Sequence, residues 1–277
     1  MKYEIKKDEI IVYDLKDFNI NQILDCGQIF RYQIDGDCAV VLSKDKKASI
    51  QTFENKVVIK TKYVDYFENF FDLKTDYSAI KQSLKDDKYL KDAIKFGYGI
   101  RILKNDAYEM IVSFIISANN NISRIKKSIE YLCLNFGSNM GDYFAFPTLE
   151  QLKTATIQDF KMAGLGYRAE YMYETVQNLT LEQIEILKTK TRQEQFNFLV
   201  SLKGVGEKVA NCIMLFGLSV KDVFPVDTWI NKVYNKINNK TEIDRKKIAK
   251  EFITEYGDLS GYAQQYFFYY YRENKIK

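Results

Sequence analysis

The spacing of hydrophobic residues changes partway along the chain. Up to about residue 100 they fall in short runs, at 9–13, 28–34, 39–43 and 57–61, rich in β-branched and aromatic side chains and separated by turn formers such as Asp35-Gly36 and Glu54-Asn55. Such runs predict an antiparallel sheet with a few flanking helices. From about Asp106 onward the spacing becomes helical. Asp106 stands at an N-cap position ahead of Met110, Ile111, Phe114 and Ile115, in a segment so uniformly apolar that it belongs inside its domain. Thr148-Leu-Glu-Gln151 and Thr180-Leu-Glu-Gln183 have capping-box spacing. The chain therefore reads as α+β, with an N-terminal antiparallel sheet domain over 1–104 and an all-helical domain over 105–277. No internal repeat or low-complexity linker separates them.

At 277 residues and 46% hydrophobic composition the chain can bury a full core. Its N-terminus has no basic-then-apolar signal, and its most apolar stretch is too short to cross a bilayer, so neither secretion nor membrane insertion is expected. The four cysteines match no zinc or iron–sulfur spacing, which favours reduced thiols in a cytoplasmic protein. A formal charge of +4 permits nucleic-acid binding without requiring it. The absence of histidine is more informative. It removes imidazole bases, His-ligated metals and Ser-His or Cys-His nucleophiles, and leaves Lys, Asp, Glu, Cys and Tyr to perform any chemistry.

Between Phe198 and Gly217 a helical pattern is broken at Gly204-Val205-Gly206 and then resumes. Glycines reach left-handed dihedrals and let a backbone approach a phosphate closely, so residues 198–217 read as helix, hairpin, helix. The N–H groups and positive dipole end of the second helix would anchor a nucleic-acid backbone without regard to sequence. An ordinary helix–helix turn is the competing reading. Lys208 in the first turn of that helix, and Phe224-Pro-Val-Asp227 ahead of the next, shift the balance. Together Gly204-Val-Gly-Glu-Lys208 and Pro225-Val-Asp227 resemble the catalytic core of bifunctional helix-hairpin-helix (HhH-GPD) DNA glycosylases. The resemblance implies Lys208 as the nucleophile that attacks C1′, and Asp227 as the carboxylate that stabilises the oxocarbenium-like charge and caps its helix. Strand cleavage by β-elimination would follow from the Schiff base. Taken singly, Lys208 is also a solvated helix lysine and Asp227 an N-cap.

Three further stretches resemble the 8-oxoguanine branch of that superfamily, whose N-terminal domain is a TBP-like sheet. Cys26-Gly-Gln-Ile-Phe-Arg31 carries over the glycine whose carbonyl accepts the N7 hydrogen of 8-oxoguanine, here Gly27. Guanine presents an acceptor at N7 and would leave that carbonyl unpaired, at a cost of roughly 1–3 kcal/mol. Gly261-Tyr-Ala-Gln-Gln-Tyr-Phe-Phe268 implies Gln264 as reader of the Watson–Crick edge, with Phe268 stacking on the flipped base opposite Cys212. Ser117-Ala-Asn-Asn-Asn-Ile-Ser-Arg124 and Gly164-Leu-Gly-Tyr-Arg168 imply Asn119, Arg124 and Arg168 at the opposite base, a cytosine, and Tyr167 as a wedge in the stack. The plainer readings are a turn glycine for Gly27, core residues for Phe268 and Cys212, and an N-capping asparagine cluster.

Two positions depart from the family pattern. Trp229 stands where a phosphate-binding histidine is usual, and an indole donates only one N–H. Lys203 precedes the hairpin glycine where proline is common. No metal or organic cofactor is implied. The expected partner is double-stranded DNA containing 8-oxoguanine, met by a monomer. A glycosylase for alkylated purines, which would need neither Gly27 nor Gln264, and a non-catalytic damage-binding protein are the alternatives.

Overall fold

The computed structural model describes residues 1–274. Strands β1 (Tyr3–Lys6), β2 (Glu9–Val12), β3 (Tyr32–Asp35), β4 (Cys38–Ser43), β5 (Lys46–Phe53) and β6 (Lys56–Lys60) form one sheet in the order β1-β2-β6-β5-β4-β3. Every neighbouring pair is antiparallel. Two-residue turns join all the consecutive strands except β2 and β3, with Gly36 at φ +57 and Lys44 at φ +56 supplying the positive dihedrals that tight hairpins require. After β2 the chain leaves the sheet, forms the helix Ile20–Leu24, and passes through residues 25–31 before re-entering at the opposite edge. One sheet face is buried: Ile10, Val12, Val41, Ile50 and Ile59 pack with Phe67 and Phe70 of the helix Val64–Phe70.

Two strands fall outside the hydrophobic runs. β1 is a largely exposed edge strand, and β5 contains Lys46, Lys47, Gln51 and Thr52. β5 is extended because β4 and β6 bond it on both sides. Conversely, the run at 28–34 enters the sheet only at Tyr32. Gln28 is fully buried and serves as a hub instead, donating to the carbonyls of Ile23 and Arg101 and accepting from Leu103 N–H.

The rest of the chain is helical. Helix Ala107–Ser117 is buried on all sides over residues 107–116, which puts it at the centre of its domain. Asp106 caps it by accepting from Glu109 N–H at 3.0 Å, and Thr148 and Thr180 close capping boxes with Gln151 and Gln183. The helix Glu207–Gly217 lies against it so closely that a Cβ on Gly217 would stand 3.0 Å from Met110 Cβ. Helices Tyr77–Leu84 and Leu90–Phe96 also join this helical core, where Tyr77 meets Tyr262 edge-on at 5.5 Å. Ile100 and Ile102 pack in this helical core as well, whereas Leu103 packs with the sheet. Buried polar groups tie the two parts together: Arg31 pairs with Glu130 at 3.2 Å, and Glu109 accepts from Lys44 N–H at 2.9 Å. No helix among the described residues is long and apolar enough to cross a membrane.

Candidate active site

Helix Arg192–Ser201 and helix Glu207–Gly217 are joined by the hairpin. Gly204 sits at φ +79, and a Cβ there would lie 2.7 Å from Tyr171 Cδ2, so both dihedral and space demand glycine. Val205 is buried and anchors the turn. Gly206 is the N-cap of the second helix and offers no side-chain oxygen to its first N–H groups. Many other helices here are capped by Asp, Asn or Thr, as at Asp106, Asn121 and Thr191. The hairpin thus leaves backbone donors available to an outside acceptor at the positive end of the dipole.

In the first turn of that helix, Lys208 Nζ lies 5.6 Å from the Phe114 ring centroid. Asp227 is the N-cap of helix Thr228–Asn238, its Oδ1 accepting from Ile230 N–H at 2.9 Å. The preceding Phe224, Pro225 and Val226 are buried and fix where this helix begins. Lys208 and Asp227 line one cavity of about 160 Å³, together with Gly27, Cys212, Gln264 and Phe268. The structure therefore brings together all six residues expected at the reacting bond and the base. Cys212 is buried, which pushes its thiol up against the opposing pull of the nearby Lys208, and it lines the wall of the cavity.

Gln264 donates through Nε2 to Pro225 O at 3.3 Å, while its buried Oε1 has no partner among the described residues. A buried acceptor left unpaired is costly and is readily satisfied by a donor on a ligand. Gly27, at φ +79, is in contact with Phe268: an added Cβ would stand 3.1 Å from Phe268 Cε1. Phe30, Phe114, Phe216 and Asn120 also line the cavity. Sequence reasoning missed them because each is an unremarkable residue until the helices converge. A wider, open cleft of about 820 Å³ beside the sheet holds several lysines but neither Lys208 nor Asp227.

Residues expected at the opposite strand occupy two loops. Asn119 is exposed at φ +49, and Arg124 is exposed in the first turn of helix Ile122–Phe136. Capping is done by Asn121, which accepts from Arg124 N–H at 3.0 Å, so the capping reading applies to Asn121 and not to Asn119. Ser117, Asn120 and Ile122 of this segment border the cavity. Tyr167 is 55% exposed at the start of helix Arg168–Asn178. Arg168 differs from its expected role as a second base reader. It is buried, donating to the carbonyls of Ala118 at 2.6 Å, Asn119 at 2.7 Å and Leu165 at 3.3 Å, with its guanidinium 4.4 Å from the Tyr167 ring. Its donors hold the Asn119 loop in place instead of facing outward. Trp229 has Lys232 Nζ 5.1 Å from its ring, and Lys203 forms an exposed ion pair with Glu174 at 3.8 Å.

Comparison with known proteins agrees with this geometry. Residues 10–111 match the family model for the 8-oxoguanine DNA glycosylase N-terminal domain, and residues 112–257 match that of the HhH-GPD superfamily base excision DNA repair proteins. An N-glycosylase/DNA lyase of Saccharomyces cerevisiae is 30% identical over 91% of this chain and 77% of its own length. The crystal structure of Clostridium acetobutylicum 8-oxoguanine glycosylase/lyase with double-stranded DNA containing cytosine opposite 8-oxoguanine superposes with a TM-score of 0.92 at 38% identity, covering 100% of this chain and 99% of that one. A 3-methyladenine DNA glycosylase from Archaeoglobus fulgidus reaches a TM-score of 0.76 at 17% identity over both full chains, a likeness of fold alone.

Proposed function

Because this chain belongs to the 8-oxoguanine DNA glycosylase family of the HhH-GPD superfamily, we propose that it excises 8-oxoguanine from duplex DNA and cleaves the strand at the resulting abasic site, in base excision repair. The observation that carries this reading is one cavity holding Lys208, Asp227 and the acceptor of Gln264, which has no partner among the described residues.

The N–H groups of Gly204 and Gly206 bind backbone phosphate, while Val205, whose N–H donates to Leu202 O at 3.1 Å, braces the turn, and the target nucleotide leaves the stack to enter the cavity. Gln264 Oε1 accepts from the donor edge of the base, Phe268 stacks on it, and the Gly27 carbonyl accepts the N7 hydrogen that only the oxidised base carries. As the bond from C1′ to the base breaks, its electron pair leaves with the base, and the Asp227 carboxylate stabilises the positive charge on the sugar. The Lys208 side-chain nitrogen forms a bond to C1′. Ring opening gives a Schiff base, which makes the C2′ proton acidic. Loss of that proton expels the 3′ phosphate by β-elimination, and hydrolysis of the imine returns Lys208 to its free form. Tyr167 fills the vacated stack, while Asn119 and Arg124 meet the acceptor edge of the orphaned cytosine.

Borohydride trapping on a duplex with one 8-oxoguanine opposite cytosine tests the scheme. Wild type should give a covalent adduct and Lys208→Gln none. An equal yield from the two proteins would remove Lys208 as the nucleophile, and no adduct from wild type would remove the lyase step.

A further inference from the structure

We propose that Gln265 and Arg272 are positioning residues for lesion recognition, which they serve by fixing the peptides that lead into Gly27. The inference rests on the reading of the Gly27 carbonyl given above.

Both residues lie on helix Ser260–Glu273, which also carries Gln264 and Phe268. Gln265 is almost fully buried, and its Nε2 donates to Cys26 O at 2.7 Å. Arg272 donates through Nη2 to Asp25 O and forms an ion pair with the Asp25 carboxylate at 3.7 Å. Its guanidinium stands 5.2 Å from the Phe268 ring centroid, backing the side chain that stacks on the base. Successive carbonyls ahead of Gly27 are thus each held by a donor from this one helix. On the far side of Gly27, Gln28 is locked by its bonds to Ile23, Arg101 and Leu103.

These anchors matter because of what lies between them. Glycine visits positive and negative φ with nearly equal ease, so Gly27 has no intrinsic preference that would hold its carbonyl in one direction. The orientation of that carbonyl is inherited from its neighbours. Discrimination between 8-oxoguanine and guanine depends on one hydrogen bond with the correct polarity, which weakens steeply when misaligned. Gln264 and Phe268 engage features of the base that guanine shares, whereas Gln265 and Arg272 act through the single atom that tells the two bases apart. Neither positioning residue is required at C1′, where Lys208 and Asp227 act.

The test compares single-turnover excision of 8-oxoguanine opposite cytosine with cleavage at a preformed abasic site, using wild type, Gln265→Met, Arg272→Ala and Arg272→Lys. Gln265→Met keeps the volume and removes the donor. Excision by Gln265→Met and Arg272→Ala should fall roughly tenfold, with Arg272→Lys regaining most of the loss, while abasic cleavage stays within about twofold of wild type. Equal losses on both substrates would reduce the two residues to a structural role and overturn the proposal, as would unchanged excision. If Gln265→Met does not fold, the Arg272 pair decides, because that side chain is partly exposed. Wild type that cleaves abasic sites but leaves 8-oxoguanine in place would instead overturn the substrate reading itself.

Discussion

Replacing Glu109 by glutamine should remove a distinct component of the pH dependence of stability. Glu109 is 3% exposed in the first turn of helix Ala107–Ser117, where it accepts from Lys44 N–H at 2.9 Å and from Ser43 Oγ at 3.2 Å. Burial pushes its carboxyl from 4.5 up to about 7, opposed by the Arg31 cation and the Lys44 N–H and reinforced by Asp106. A carboxyl whose pKa is raised by folding binds its proton more tightly in the native state than in the unfolded chain. Its contribution is therefore fully present below the unfolded value near 4.5 and is lost as pH rises through about 7. The difference between the two values corresponds to about 3 kcal/mol. Glutamine keeps an acceptor for Lys44 N–H and cannot ionise, so the variant should lack this loss. Urea unfolding near pH 5 and near pH 8 reads the effect as a difference between proteins, which cancels the other titrating groups. The variant should gain roughly 2–3 kcal/mol on wild type over that interval. A constant gap at both pH values, or a shift in favour of wild type, would refute the argument.

Other outcomes follow from geometry around the site. Asp227→Asn retains a good N-cap, so the melting temperature should stay near that of wild type while excision falls by about a hundredfold or more; retained excision would show that the negative charge is not needed. Gly204→Ala combines left-handed strain with overlap on Tyr171 and should cost roughly 2 kcal/mol or more in urea unfolding, with weaker binding to undamaged duplex. An alanine variant as stable and as tightly bound would contradict the hairpin account. Arg124→Ala should relax the preference for cytosine opposite the lesion by roughly 1–3 kcal/mol in the excision ratio of cytosine to adenine duplexes, and an unchanged ratio would exclude Arg124 as a reader.

Features governed by local chemistry were legible in the sequence. Asp106, Thr148 and Thr180 cap helices because a side-chain oxygen needs only its own next three residues. The hairpin glycines and the cap at Asp227 are legible for the same reason, whereas the roles of Lys208 and Asp227 are read from the resemblance of their motif to the glycosylases; helix period places Cys212 one turn beyond Lys208. What stayed hidden depends on distant partners. β5 is polar enough to read as a loop and is extended only because strands flank it. Gln28 resembles a strand residue until its amide is seen to serve three backbone groups. Arg168 carries a charge that suggests an outward-facing reader, yet three carbonyls draw it inward. Gln265 sits beside Gln264 in the sequence, but its role exists only because Cys26, 239 residues away, comes to meet it.

That last separation bears on the order in which the molecule is made. The Gly27 loop emerges early from the ribosome, whereas helix Ser260–Glu273 emerges after every other element described here. Before that helix is made, a nascent chain already holds the strands of the sheet and the hairpin segment. Until the last helix docks, it has no Gln264, no Phe268 and no grip on the Gly27 loop. On the recognition scheme proposed above, base selection thus waits for that helix. On that scheme the base pocket and its selectivity arrive in one closing event, so a chain without this helix has no means of choosing a base.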